Sequence, residues 1–215
     1  MPLGIVPAAG AGLRLRPFRY PKELLPVAMT STPDGIRPVL AVEFALRTLA
    51  EAGCEQIVVA IHRDKLDLVR LIEDGAAFDA QVAFVVQPEP RGLTDAVQRC
   101  LRWAHGRRCV LQLPDTLFQP SSLPRDLLAT GADLALGVFP TDRPEHLGPV
   151  RHQQGRVSEV QDKPATTDLR NTWGVAAWGP AFTELALRAD PTDPIGVAFQ
   201  QAVARGLDVR ALERE

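Results

Sequence analysis

Strand-like and helix-like segments alternate along the first two thirds of the chain, and this alternation is the feature that most limits its fold. Residues 3–6 and 57–61 are almost continuously apolar, which is typical of strands buried on both faces of a parallel sheet. Between them, residues 39–52 place their apolar side chains on one face of a helix. The alternation indicates an α/β fold with a largely parallel sheet.

Further segments extend this pattern toward the C-terminus. The predicted helices are residues 64–73, 93–104, 182–188 and 195–204, and the predicted strands are residues 82–87, 109–113, 134–139, 173–178 and 209–212. Residues 150–152 and 156–160 flank a glycine-containing turn and are expected to form a hairpin. No internal repeat or linker divides the 215 residues, which predicts one domain.

Composition and charge exclude several classes of function. The net charge is −2, so no global attraction for nucleic acid or for an anionic membrane is expected, and any anion site must be local. No apolar run has the length of a membrane span, and the N-terminus lacks the pattern of a signal peptide. Cys54, Cys100 and Cys109 have no metal-type spacing and are expected to be reduced thiols. The sequence therefore predicts a cytoplasmic protein that binds neither nucleic acid nor membrane.

Residues 7–26, with the sequence PAAGAGLRLRPFRYPKELLP, follow the first predicted strand. Their small residues would let a backbone loop approach a ligand closely; these are Ala8, Ala9, Gly10, Ala11 and Gly12. Arg14, Arg16, Arg19 and Lys22 then supply four positive charges. A strand, a small-residue loop and converging cations are the usual means of binding phosphate, so this segment predicts a triphosphate site.

The spacing of this loop excludes two common phosphate-binding motifs. A P-loop requires Lys followed by Ser or Thr after its second glycine, and this pair does not occur here. A dinucleotide-binding fingerprint requires a third glycine, but Gly12 is followed by Leu13, Arg14 and Leu15.

The segment resembles instead the signature of the sugar-1-phosphate nucleotidyltransferases, GxGxRLxP followed by PKxLLPV. That family includes the glucose-1-phosphate thymidylyltransferases and uridylyltransferases. The resemblance implies a three-layer α/β/α sandwich around a Rossmann-like, mostly parallel mixed sheet. It implies that Arg14 and Lys22 are catalytic and that the small-residue loop binds the nucleotide. Within the single domain, residues 1–140 would form the nucleotide-binding part and residues 141–215 the sugar-phosphate-binding part.

A second segment, QPEPRGL at residues 87–93, resembles the family motif QPxPxGLAxA. In the family, the Gln reads a pyrimidine base and the Gly packs against that base. The resemblance predicts four nucleotide-binding residues: Gln87, Pro90, Gly92 and Leu93. A side-chain amide offers a donor and an acceptor, which suits the imide edge of thymine or uracil. Thr94 and Asp95 depart from the residues usual in the family and leave the base preference open. The alternative to a binding role is that Gln87 merely ends a strand and Gly92 merely starts a helix.

Asp115 ends the fourth predicted strand in the sequence LQLPD. The family usually has GDN or a similar sequence here, and its Asp holds the Mg²⁺ that bridges two phosphate groups. The resemblance therefore implies that Asp115 is a metal ligand, and a hard carboxylate beside phosphate oxygens is what Mg²⁺ requires. The alternative is an Asp that caps a turn.

Three later segments resemble the sugar-phosphate motifs of the family. LGPV at residues 147–150 resembles YGVV, VQDKP at residues 160–164 resembles VxEKP, and NTWGVAAW at residues 171–178 resembles a strand with a glycine beside the sugar. The resemblance predicts that the sugar phosphate is bound by Gly148, Asp162, Lys163, Trp173 and Gly174. Asp162 is one methylene shorter than the usual Glu. Trp173 could stack on a sugar ring, and the alternative is that it belongs to the core.

The reaction implied by the resemblance joins a pyrimidine nucleoside triphosphate, dTTP or UTP, to a sugar-1-phosphate and releases pyrophosphate, with Mg²⁺ as the cofactor. Two alternatives remain: a non-catalytic sensor of nucleotide or sugar phosphate, and a nucleotidyltransferase for CTP or for a non-sugar phosphate. Which sugar is used stays open.

Three features depart from the family pattern. The loop at residues 17–21 is shorter than in many relatives, and residues 29–38 look like an insertion before the first helix. Relatives continue into a segment resembling WxDxGT, whose Asp is a second metal ligand and whose helices often mediate oligomerisation. The end of this sequence has no such Asp. Either Asp115 suffices with phosphate and water ligands, or the chain is truncated or catalytically weakened; a homo-oligomer also remains open.

Overall fold

The computed structural model describes residues 1–10, 12, 20–33 and 35–214, and their main feature is a nine-stranded sheet beside a two-stranded one. The strands are β1 Leu3–Pro7, β2 Pro26–Thr32, β3 Gly35–Leu40, β4 Gln56–Ile61, β5 Gln81–Val86, β6 Cys109–Gln112, β7 Leu134–Pro140, β8 Val150–Gln153, β9 Arg156–Val160, β10 Asn171–Trp178 and β11 Val209–Glu213. The helices are α1 Ala41–Glu51, α2 Leu66–Ile72, α3 Leu93–Leu101, α4 Leu123–Ala129, α5 Pro180–Arg188 and α6 Ile195–Ala204. Three short 3-10 helices cover Lys22–Leu24, Ala76–Phe78 and Pro144–His146.

The large sheet has the strand order β5-β4-β1-β6-β10-β7-β11-β9-β8. The first four strands are parallel, and β7 is parallel to β11. Strand β10 is antiparallel to both neighbours, and β9 is antiparallel to β11 and β8. All strands of this large sheet except β9 and β10 therefore point the same way, which confirms the mostly parallel mixed sheet. The carboxyl ends of β4, β1 and β6 consequently lie side by side on one edge, where ligands bind in open α/β sheets.

Alternate side chains of the buried strands form two separate cores, one on each face of the sheet. In β4, Val58 and Ala60 pack with α3, whereas Ile57 and Val59 pack with α1 and α2. The first core also contains residues of α5 and α6, and the second contains residues of α4. Helices therefore cover both faces, and the predicted three-layer sandwich is confirmed.

The predicted strands agree with the observed ones to within two residues at either end, whereas the helices differ more. Helix α1 begins at Ala41 because Val39 and Leu40 belong to β3, where they pair with β2. The segment 29–38, interpreted as an insertion, lies in the β2–β3 hairpin, and α4 was not predicted. The hairpin lies outside the large sheet and exposes apolar residues such as Met29 and Ile36, so it lacks the alternation that a buried face would impose.

The structure also bears on membrane-spanning helices and on the predicted thiols. Among the described residues, no helix combines the length and the apolarity that crossing a membrane requires. Cys54, Cys100 and Cys109 are free and buried. Burial raises the pKa of the Cys54 and Cys109 thiols to about 12, so both are protonated and unreactive at neutral pH.

Candidate active site

The chain leaves β1 in the small-residue loop that was predicted to bind a triphosphate. Ala8 and Ala9 are buried, and the Ala8 amide donates to the Ala60 carbonyl at 2.8 Å. Gly10 is exposed, and a Cβ added there would meet nothing within 4 Å. Gly12 has a φ of +61° and equally open surroundings, so the backbone can be approached closely at both glycines. The predicted residues Ala11 and Arg14 lie outside the described residues.

Lys22 and Asp115, which are 93 positions apart in the chain, meet at the end of the sheet. Lys22 begins the 3-10 helix Lys22–Leu24, and Asp115 follows β6, which neighbours β1. The Lys22 ammonium forms an ion pair with Oδ2 of Asp115, and their side chains are 22% and 40% exposed. The structure thus brings the predicted cation and the predicted metal ligand into contact while leaving both accessible to a ligand.

The surroundings of Asp115 limit how a metal ion could bind. In the part of the chain that the structure describes, no group of three or more His, Cys, Asp or Glu could hold a metal ion. Proteins commonly bind Mg²⁺ through one or two carboxylates together with substrate phosphates and water. The accessible carboxylate of Asp115 is compatible with this mode of Mg²⁺ binding.

A buried ion pair behind Lys22 was missed from the sequence. Lys65, just before α2, places its Nζ 2.9 Å from both carboxylate oxygens of Glu23 and 2.8 Å from the carbonyl oxygen of Ala8. Glu23 is completely buried, and the Lys65 side chain is 10% exposed. The neighbours Lys22 and Glu23 consequently point to opposite sides of β1, one toward the end of β6 and the other toward the end of β4.

Gln87, the predicted base reader, is 2% exposed and uses both of its amide protons inside the protein. Its Nε2 donates to the Gly92 carbonyl at 2.9 Å and to Oδ2 of Asp95 at 2.8 Å. Asp95 also accepts from Nε of Arg99 at 2.8 Å. Burial opposes ionisation of Asp95, but the hydrogen bonds from Arg99 and Gln87 and the charge of Arg99 leave its pKa below the usual range. Because both partners of Nε2 can only accept, the orientation of the Gln87 amide is determined.

The other residues of this motif surround the start of α3. Pro90 and Gly92 are exposed and Leu93 is half-buried. Gly92 precedes the helix with a φ of +116°, and a Cβ there would meet nothing within 4 Å. Thr94, one of the departures from the family pattern, donates from Oγ1 to the Asp193 carbonyl at 2.6 Å. Thr94 and Asp95, the two residues that depart from the family motif, therefore both form hydrogen bonds within the protein.

On the predicted sugar side, Gly148 and Trp173 are in direct contact. A Cβ on Gly148 would lie 2.3 Å from Nε1 of Trp173, and the Trp173 amide donates to the Gly148 carbonyl at 3.0 Å. Trp173 is 8% exposed, and its ring meets the ring of Phe199 edge-on, with 5.0 Å between centroids. Trp173 thus lies in the core, which was the alternative to stacking on a sugar.

Asp162 and Lys163 lie next to each other in the chain but have different surroundings. The Asp162 carboxylate accepts a hydrogen bond from the backbone of Gly196 at the start of α6. Burial raises the pKa of Asp162, and Lys163 and the Gly196 hydrogen bond offset this in part. The Lys163 side chain is exposed, and its backbone amide donates to the Leu147 carbonyl at 2.7 Å. Asp162 therefore anchors α6, whereas the ammonium of Lys163 is accessible.

Gly174 connects the two sides of the site. A Cβ at this position would lie 3.0 Å from Phe139 and 3.0 Å from Thr116, the residue that follows Asp115. The glycine on β10 thus allows close packing beside the end of β6.

Residues 3–208 match the nucleotidyl transferase family. The chain belongs to this family. It is 29% identical over 201 residues to the low-salt glycan biosynthesis nucleotidyltransferase Agl11 of Haloferax volcanii, with 88% of this chain and 52% of that protein covered. It is 27% identical over 179 residues to a glucose-1-phosphate thymidylyltransferase of Neisseria meningitidis, with 80% and 58% covered. The chain thus spans about half the length of the curated relatives it matches.

A solved structure supports the fold of this nucleotidyl transferase family member. It is a Bacillus anthracis protein assigned as a glucose-1-phosphate thymidylyltransferase and crystallised in complex with sucrose. The TM-score is 0.87 at 20% identity, and the match covers 100% of this chain and 87% of that one. At this identity the likeness shows a shared fold.

Proposed function

We propose that the protein transfers a nucleotidyl group from a pyrimidine nucleoside triphosphate, dTTP or UTP, to a sugar-1-phosphate, and releases pyrophosphate. The observation that carries this proposal is the contact between Lys22 and Asp115 at the carboxyl end of β6, beside the glycine loop that follows β1. Membership of the nucleotidyl transferase family supports the reaction class. The relatives named glucose-1-phosphate thymidylyltransferase support a sugar-1-phosphate and thymidine nucleotides as substrates.

The reaction requires positioning more than proton transfer. A phosphate oxygen of the sugar-1-phosphate forms a bond to the α-phosphorus, and the bond from the α-phosphorus to the oxygen bridging to the β-phosphate breaks. Pyrophosphate leaves with that electron pair. The nucleophile is already ionised at neutral pH, so no general base is needed. The barrier comes from bringing two polyanions together, which positive charge and orientation can lower.

The residues at the end of β6 and around β1 supply these effects. Lys22 would place its ammonium against the phosphates and stabilise the charge of the transition state. Asp115 would hold the Mg²⁺ that enters with the triphosphate, and such an ion neutralises phosphate charge when bound. An added Cβ at Gly10 or Gly12 would meet nothing within 4 Å, and this open space leaves room for the phosphates. In this proposal Arg14, like Lys22, acts on the triphosphate.

The hydrogen bonds of Gln87 support a base with an imide proton. Since Nε2 is occupied by Gly92 and Asp95, the carbonyl oxygen Oε1 is the atom with which Gln87 would meet a base. A carbonyl can accept from the ring N–H of thymine or uracil, whereas the corresponding ring nitrogen of cytosine is itself an acceptor. This arrangement favours dTTP or UTP over CTP.

On the other side of the site, the accessible Lys163 would bind the phosphate of the sugar-1-phosphate. Gly148 and Gly174 would shape this side of the site by letting Trp173 and Phe139 pack closely against them, and Asp162 would order this edge through α6. The positive charge of Lys163 and that of Lys22 would then act on the two reacting phosphate groups from opposite sides.

Pyrophosphate release tests the proposal. The assay crosses ATP, GTP, CTP, UTP and dTTP, each with Mg²⁺, with a panel of sugar-1-phosphates. We expect release with UTP or dTTP that requires both substrates and is lost in Asp115→Asn. The control Asp67→Asn, which removes an exposed carboxylate on α2, should retain activity. Saturable binding of UTP or dTTP without release would indicate a sensor, and neither binding nor release would contradict the proposal altogether.

A further inference from the structure

The basic residues of this chain are very unevenly divided between arginine and lysine. The sequence has 24 basic residues, and three of them are lysines: Lys22, Lys65 and Lys163. Two of the three are the residues proposed above to bind phosphate. The third, Lys65, belongs to none of the recognised motifs, although the chain uses arginine for nearly every other cation. This raises the question of what Lys65 does that an arginine could not do.

The surroundings of Lys65 match the geometry of an ammonium group. An ammonium has three donors, and Nζ of Lys65 has three acceptors within 2.9 Å: both carboxylate oxygens of Glu23 and the carbonyl oxygen of Ala8. Glu23 is completely buried and Lys65 is 8% exposed. The planar, longer guanidinium of arginine has five donors in a fixed fork and would not place one donor toward each of these acceptors in the same space.

The position of Lys65 in the sheet links three parts of the site. Lys65 lies beyond the end of β4, Ala8 lies beyond the end of β1, and Asp115 lies beyond the end of β6. These strands are neighbours in the order β4-β1-β6. The 3-10 helix Lys22–Leu24 is therefore held across the end of β1 by Glu23 on one side and by Lys22 on the other. The Glu23 contact is buried, whereas the Lys22 contact is partly open to solvent.

We propose that Lys65 is a positioning residue for the phosphate site. By holding Glu23 and the Ala8 carbonyl together, it sets where the Lys22 ammonium meets Asp115 and the direction in which the glycine loop leaves β1. Lys65 acts through these groups and does not touch the ligand. The expected effect of Lys65 on nucleotide affinity rests on the proposed function, whereas its expected effect on the position of Lys22 does not.

The decisive variant is Lys65→Arg, which keeps the positive charge beside Glu23 but changes its shape. If Lys65 only neutralises Glu23, this variant should bind nucleotide as the wild type does. We expect it instead to fold and to bind Mg-UTP or Mg-dTTP about 10- to 100-fold more weakly, by analogy with changes to the outer-shell residues that orient metal ligands. Titration calorimetry measures the affinity. The matched control is the converse exchange Arg70→Lys in the exposed Asp67–Arg70 pair on α2, which should bind like the wild type.

A second measurement needs no ligand. Because the chain has three lysines, NMR of protein labelled with ¹⁵N-lysine shows few signals, and Lys22→Arg identifies the signal of Lys22. In the unliganded protein, Lys65→Arg should shift the Lys22 signals, and Arg70→Lys should leave them in place. If wild-type protein bound no nucleotide, the proposed function would fail, but these signals would still decide whether Lys65 positions Lys22.

A second variant tests the inference if Lys65→Arg does not fold. The double variant with Glu23→Gln and Lys65→Met removes both buried charges, so neither is left unpaired. We expect it to show the same weakened binding and shifted Lys22 signals. A folded variant of either kind with wild-type nucleotide affinity and unchanged Lys22 signals would overturn the inference.

Discussion

The two sides of the candidate site are held together by different interactions. On the nucleotide side, side chains that carry charge or amide groups contact one another: Lys22 contacts Asp115, Lys65 contacts Glu23, and Gln87 contacts Asp95. On the sugar side, the predicted residues contact backbone and core. Gly148 packs against Trp173, and Asp162 accepts from the backbone of Gly196.

This difference has a physical consequence for substitutions. A buried polar group is costly unless it is paired, so the polar contacts of the nucleotide side also fix the direction in which each group points. Close apolar packing contributes mainly to stability and is sensitive to small changes in volume. We therefore expect substitutions on the nucleotide side to lower binding or turnover in folded protein, and substitutions at the closely packed positions of the sugar side to lower stability first.

The largest expected effect is on turnover in Lys22→Met. Loss of the ammonium removes charge stabilisation from the transition state, which typically lowers kcat by about 100-fold or more. The free energy of unfolding should change little, because the Lys22–Asp115 ion pair is partly exposed and such pairs contribute at most about 1 kcal/mol. Steady-state kinetics and urea denaturation of the same preparation check both parts. A variant that loses stability and turnover together would contradict a role confined to function.

Two glycine substitutions test the comparison directly. In Gly148→Ala, the new methyl group would lie 2.3 Å from Nε1 of Trp173, and overpacking of this kind costs about 1–3 kcal/mol of unfolding free energy. In Gly10→Ala, the methyl group meets nothing within 4 Å, so stability should change by no more than about 0.5 kcal/mol while nucleotide affinity falls. Equal losses of stability in the two variants would remove the distinction between the two sides.

A smaller effect is expected on base preference in Asp95→Asn. The Asn amide can donate as well as accept, so only the Gly92 carbonyl would still require Nε2 of Gln87 as its donor. The turned Gln87 amide, which offers a donor to cytosine, would therefore cost less than in the wild type. We expect the ratio of kcat/KM for UTP to that for CTP to fall by about tenfold, which corresponds to about 1.4 kcal/mol. Glu89→Gln, at an exposed position in the same loop, is the control and should leave the ratio unchanged. An unchanged ratio in Asp95→Asn would mean that Asp95 does not orient Gln87.

The sequence predicted the buried parts of the fold better than the exposed ones. Strand β4 is covered on both faces, and its continuous apolar run is visible without a structure. The β2–β3 hairpin belongs to neither core, so no hydrophobic period marks it. The antiparallel insertion of β10 between β6 and β7 was also unpredictable, because strand order depends on pairing between distant segments rather than on local pattern.

In the candidate site, too, contacts between distant residues could be predicted only where both residues stand in recognisable motifs. Lys22 and Asp115 were predicted because they stand in recognisable motifs, and the structure brings them together. The contact between Glu23 and Lys65 joins residues 42 positions apart, and Lys65 stands in no motif. A signal was nevertheless present, since Lys65 is one of three lysines in a chain that otherwise uses arginine. A residue type that is rare in a chain can thus mark a position where the shape of the side chain matters.

The smallest expected effect is a pH-dependent change in stability at Asp162. Burial raises its pKa above the ordinary value of 3.8, so the folded protein binds this proton more tightly than the unfolded chain does. The ionised carboxylate therefore lowers stability at neutral pH, and this cost disappears as the pH falls through the raised pKa. The amide oxygen of Asn can accept the hydrogen bond from Gly196 as the carboxylate does, so Asp162→Asn should melt slightly above the wild type at neutral pH, with an advantage that shrinks toward about pH 4.

Asp168 on the same side provides a control of opposite sign. Hydrogen bonding to Arg151 holds the pKa of Asp168 below its usual range, so its ionised form adds stability that is present at neutral pH and is lost as the pH falls through the lowered pKa. Asp168→Asn should therefore melt slightly below the wild type at neutral pH and converge with it in acid. Thermal melts of the three proteins over this pH range distinguish the two cases. A lower melting temperature than the wild type at neutral pH in both variants would show that Asp162 is not a desolvated carboxylate and that the sugar side, like the nucleotide side, depends on paired charges.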